Sequence, residues 1–119
     1  MSQAKSVKQV LQAAEWIIQN VGWSQFANFR DKNGQVAGYV SKLSDSDYAN
    51  LGSVCLNGAV QLVKANYALK LKALVLLDAA AGKGCGFSSI TAFNDLSSTT
   101  KNKVLSMIRR VIQEIDEVD

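Results

Sequence analysis

The sequence contains no histidine and no proline. Without imidazole there is no Ser–His or Cys–His nucleophile pair, no histidine general base and no histidine-containing metal site. Without proline, every turn must be made by Gly, Asn, Asp or Ser. Cysteine is scarce: Cys55 and Cys85 make no disulfide framework, and the expectation is a cytoplasmic protein with reduced thiols. A Cys55–Cys85 bridge would need an oxidising compartment. Long apolar runs are missing too. The longest, Ala73 to Leu77, lies in a stretch interrupted by Lys64, Lys70, Lys72 and Asp78, so no membrane-spanning helix and no membrane partner are expected. The opening MSQAKSVKQVLQ has no uninterrupted apolar stretch and does not read as a secretory signal. Excess charge is small: 13 Lys and Arg against 10 Asp and Glu give +3, too little to imply nucleic acid by itself.

What is present is apolar: 48% of 119 residues, with 19% charged, the balance of one globular domain spanning residues 1–119. The most apolar segment, Leu51 to Ala81, leaves no continuous polar face, which is the signature of a buried helix. The expected fold is mainly α: a compact bundle of about four helices around this central segment, with a small β-hairpin after the first helix.

Val7, Val10, Leu11, Ala14, Ile17, Ile18 and Val21 recur at helical spacing, so residues 3–20 read as an amphipathic helix stopped near Gly22. Trp23, Phe26 and Phe29, followed by Asn33-Gly34, read as a strand and a tight turn returning through Gln35 to Val40. Residues 41–50 are a polar loop or helical turn, with Asp45 or Ser46 as cap. The central segment divides into a helix from Val54 to Ala65 and another from Ala68 to Ala81, broken at Asn66-Tyr67 and capped by Gly82; one unbroken helix is the alternative. Gly82 to Gly86 reads as a flexible bend. Ser88 or Ser89 caps a short helix from Ile90 to Asn94, and Thr99 or Thr100 caps a last helix running to about Val118. That helix is basic at its start and acidic at its end, against its own dipole, a pattern that suits an antiparallel partner helix.

Few constellations carry chemistry. GKGCGFSS (residues 82–89) lacks the Lys-Ser/Thr order of a phosphate loop and follows a helix instead of a strand. Cys55 reads as a small buried hydrophobe; Cys85, beside Lys83, could be more reactive, but without histidine a cysteine enzyme is not expected. Asn94-Asp95 is first a turn and cap signal. As a ligand site it would combine a carboxylate and an amide, with Trp23, Arg30 and Asp31 as companions. The basic group Lys101, Lys103, Arg109 and Arg110 does not form one helical stripe. No catalytic residue, cofactor or metal is assigned.

Several marks occur together: Gly22-Trp23, Arg30-Asp31 with Gly34, Cys55-Leu56-Asn57-Gly58-Ala59, and Ser89-Ile90-Thr91-Ala92-Phe93-Asn94-Asp95. Thr100 then precedes Val104-Leu105 and Ile108-Arg109-Arg110. In this order they resemble a small bacterial and phage family numbered 6197 among the domains of unknown function. The sequence departs from that pattern at Phe93, where tryptophan is expected, and at Asn20, where histidine often precedes Gly-Trp. The resemblance supports the fold reading and implies no substrate or cofactor.

The functional expectation is a non-enzymatic interaction or regulatory module, with a protein partner or a homodimer formed through the first and last helices, beside Trp16 and Met107. The alternative is a small-ligand binder or enzyme using Trp23, Arg30, Asp31, Asn94 and Asp95. Weak nucleic-acid binding through the last helix is a further alternative.

Overall fold

The computed structural model describes residues 3–37, 43–85 and 89–118. Its first helix, α1 (Val7–Val21), starts at Ser6, whose hydroxyl accepts a bond from the Gln9 amide at 3.1 Å. Val10, Leu11, Ala14 and Ile18 lie on one face and are fully buried. The helix ends at Gly22 (φ +132°), where a β-carbon would come within 2.7 Å of the Gly52 carbonyl. Only glycine serves there.

Beyond it come β1 (Phe29–Asp31), α2 (Asp45–Ala49), β2 (Leu51–Val54), α3 (Leu56–Leu62), α4 (Tyr67–Cys85), α5 (Ile90–Asn94) and α6 (Lys101–Val118). The molecule is mainly helical, with six helices and one two-stranded antiparallel sheet among the described residues. Its core element is α1, which packs against α3, α4, α6 and β2. The stretch expected at the centre, Leu51–Ala81, is a strand and two helices arranged around it.

Two corrections concern the extended part. The turn after β1 forms: the Gly34 amide donates to Asp31 O at 3.0 Å and the Gln35 amide to Asp31 Oδ1 at 3.0 Å. The returning chain, however, makes only an isolated bridge, Arg30 with Val36. The main partner of β1 is β2, in the register Phe29–Val54, Arg30–Ser53 and Asp31–Leu51, with an irregularity after Arg30. Leu51–Val54 is therefore a strand. Residues 38–40 of the expected return lie outside the described residues.

The helix starts follow side-chain chemistry. Ser44, and neither Asp45 nor Ser46, is the cap of α2, where it makes a reciprocal box with Asp47. At α3 the cap is Cys55, its sulfur accepting from the Gly58 amide at 3.3 Å. Asn66 Oδ1 accepts from Leu69 at the start of α4, Ser89 caps α5, and Thr100 Oγ1 accepts from Lys103 at α6. Helix α4 runs through Gly82 to Cys85, past the expected stop. The bend expected over Gly82 to Gly86 is therefore helical at residues 82–85, and Gly86 and Ser88 lie outside the described residues.

The core joins Val10, Leu11, Ala14 and Ile18 of α1 to Phe29 and Val54 of the sheet, Leu56 and Val60 of α3, Ala73, Leu77 and Ala81 of α4, and Val104 and Ile108 of α6. Glu15 and Arg109 form an ion pair at 3.2 Å between α1 and α6. Among the described residues no helix is long and apolar enough to cross a membrane.

Candidate functional site

Four of the five candidate site residues meet at one junction. Asn94 closes α5 and is 1% exposed. Its Oδ1 accepts from Trp23 Nε1 at 2.7 Å and from the Leu56 amide at 3.1 Å. Its Nδ2 donates to Ser24 O at 3.2 Å and to Asp95 Oδ1 at 3.0 Å. Asp95 Oδ1 also accepts from the Phe26 amide at 2.8 Å. Gln25, which the sequence reading missed, extends the network: its Nε2 reaches Asn94 O at 3.0 Å and Leu96 O at 2.9 Å, while its own carbonyl accepts Arg30 Nη2 at 3.0 Å. Arg30 Nη1 continues to Gly34 O at 2.9 Å. Asp31 stands apart, its Oδ1 accepting from the amides of Asn33 and Gln35 within its own turn.

A second amide missed in the sequence, Asn28, sits at the other end of the loop. Its Oδ1 accepts from Cys55 Sγ and from Asn57 Nδ2, both at 3.2 Å, and its carbonyl accepts the Cys55 amide. Polar amides spaced among Trp23, Phe26 and Phe29 were the available signal. Burial pushes the free Cys55 thiol above its usual pKa, outweighing the amides at the start of α3 that act the other way. The thiol therefore stays protonated at neutral pH. The side chain of Cys85, and with it the Cys55–Cys85 question, lies outside the described side chains.

Gly58 explains part of this tightness. It is buried, and what approaches it is the backbone of Asn28. A β-carbon at Gly58 would collide with the Asn28 carbonyl oxygen.

Three of the four basic residues of α6 are engaged within the chain: Arg109 with Glu15, Lys101 Nζ with Gln19 O at 3.4 Å, and Lys103 Nζ with Ser98 O at 2.8 Å. An open cleft of about 410 Å³ runs along the outer side of α6, between Phe93 and Met107 on its floor and Lys103 and Arg110 on its rim. None of the five candidate residues lines it.

The largest departure from expectation is α4. Its inner face buries Ala73, Leu77, Ala80 and Ala81, yet Tyr67 is 73% exposed, Leu71 46%, Val75 59% and Leu76 38%. Periodicity could not separate the two faces, because both are apolar.

The family of unknown function DUF6197 matches residues 2–114. The chain belongs to that family. The match spans the α1 helix, the Asn94 junction and most of α6, so the junction described above lies wholly inside the family's domain. No curated protein and no solved structure matches the chain.

Proposed function

We propose that the protein is a non-enzymatic interaction module whose contact surface is the outer face of α4. The observation that carries this reading is the exposure of Tyr67, Leu71, Val75 and Leu76 on one helix. Single exposed apolar residues are ordinary on a protein surface; a contiguous apolar helix face beyond a few hundred Å² marks a contact site. Of the other exposed large hydrophobics, Trp16, Phe26, Val36 and Tyr48, none shares an element with another.

The Asn94 junction supports the same reading from the opposite side. Trp23, Arg30, Asn94 and Asp95 all bond to groups of their own chain. We assign them the role of fastening the 23–31 loop to α3 and α5, in preference to a ligand site.

The test is a photo-reactive aromatic amino acid placed at Val75, with Gln113 on the polar outer face of α6 as control, irradiated in cells that make the protein. Discrete covalent adducts from position 75 and none from position 113 are expected. Position 75 giving no adduct would overturn the reading.

A further inference from the structure

We propose that the occupant of the α4 face is a second copy of this chain, docked with its α4 antiparallel across a two-fold axis beside Val75. The inference rests on the interaction reading above and names its partner. Three observations favour a copy of the same chain.

The first is shape. The exposed face runs through Tyr67, Ala68, Leu71, Val75, Ala79 and Gly82, bulky in its first half and small in its second. Residues 75, 78, 79 and 82 enclose the four-cornered hole that one helix offers to a side chain of another. A reversed copy places its Leu71 in that hole, over Ala79 and Gly82, and receives Leu71 of the first chain in the same way. A parallel copy would set bulk against bulk and leave the small half uncovered. Self-complementarity of this kind is what a two-fold interface requires.

The second is charge. Lys72 is the one exposed ionic side chain along the described face. Asp78, at its edge, is half-buried, and its Oδ1 accepts from the Ile90 amide at 2.8 Å. Nothing on the face selects a strongly charged partner, and antiparallel helices bring opposite dipole ends together.

The third is area. From their fractional exposures, Tyr67, Leu71, Val75 and Leu76 present roughly 450 Å². Two copies with the intervening alanines would cover about 1,000 Å², the lower edge of specific interfaces and in keeping with a micromolar dimer. Helix α6, expected from the sequence to share in self-association, offers no such surface among its described side chains. Met107 is buried, and the outward residues Asn102, Lys103, Ser106, Arg110 and Gln113 are polar.

Sedimentation equilibrium of the full chain from roughly 1 to 200 µM should show the mass rising from 12.8 kDa toward twice that value. Val75→Glu should hold it at the monomer mass, and Gln113→Glu should leave association unchanged. Orientation is read by oxidation in a Cys55→Ser, Cys85→Ser background. Val75→Cys should link to itself, and Leu71→Cys should link to Ala79→Cys in preference to another Leu71→Cys. A monomer at the highest concentration overturns the proposal, as does a dimer indifferent to Val75→Glu; a preferred Leu71–Leu71 link overturns the antiparallel geometry. A monomer whose position 75 still cross-links to a different protein leaves the interaction reading standing while this inference falls. A monomer with no adduct at all removes both.

Discussion

The two halves of Leu51–Ala81 meet their surroundings in opposite ways. In the first half, β2 and the start of α3 lie against the 23–31 loop so closely that a β-carbon on Gly52 would strike Asp31 O, and one on Gly58 would strike Asn28 O. The backbone and side-chain polar groups there bond across the contact: Val54 N to Gly22 O, Ser24 N to Val54 O, Cys55 N to Asn28 O and Leu56 N to Asn94 Oδ1. In the second half, the outer face of α4 leaves Tyr67, Leu71, Val75 and Leu76 exposed among the described residues. The same apolar composition thus serves two ends. One stretch closes a polar junction that fixes how the chain folds; the other leaves a surface over.

The strongest way to break the junction is Asn94→Ala. It removes the acceptor of the part-buried Trp23 Nε1 and of the buried Leu56 amide and leaves a void. A loss of about 3–4 kcal/mol is expected, measured by denaturant unfolding. A loss below about 1 kcal/mol would mean that water replaces the amide, and that Asn94 is not the keystone argued above.

Gly58→Ala comes next, with an expected loss of about 2–3 kcal/mol. The colliding atom is a backbone carbonyl, which cannot swing aside as a side chain would. An unchanged denaturation midpoint would show that the loop yields freely. Asp95→Ala should cost about 1–2 kcal/mol, because it frees the Phe26 amide and one donor of Asn94.

These residues also mark how far the sequence could be read. Helices α1 and α6 were legible from their apolar stripes, and α5 and α6 from their Ser or Thr caps, because these are local signals. The Ser6 cap, which starts α1 at Val7 and not at residue 3, was not read. Asn94-Asp95 was legible as a turn, and its weight as a structural feature followed from the chemistry of short polar side chains. Strand β2 was not legible. Its four residues, LGSV, sit inside an apolar run, and the partner that makes them a strand, Phe29–Asp31, lies 20 to 25 residues upstream. The roles of Gln25 and Asn28 were hidden for the same reason, since their partners lie at 94–96 and 55–57. The exposure of α4 was hidden by a different cause: an apolar helix reads as buried whether its cover comes from its own chain or from another.

Phe26 sharpens the comparison from within the loop. Its φ of +69° is a left-handed conformation that costs a non-glycine residue about 1 kcal/mol, and the residue is 71% exposed. The Asp95 bond to its amide holds that conformation in place. Phe26→Asn keeps the amide and tolerates the left-handed region, so it should stabilise the fold by about 0.5–1 kcal/mol. A loss instead would assign the ring a packing role that its exposure does not show.

The smallest expected effect belongs to the other half. Val75→Glu places a carboxylate on α4 where the chain itself makes no demand, so unfolding at low micromolar concentration should change by less than about 0.5 kcal/mol. Stability at high concentration should separate the two proteins. If the copies dock through α4, the parent's melting temperature rises with protein concentration, because association draws on the folded state alone. The Val75→Glu variant should melt at one temperature throughout. A destabilised Val75→Glu monomer would mean that the outer face of α4 is packed within its own chain. The contrast between a densely bonded junction and an exposed helix face would then disappear.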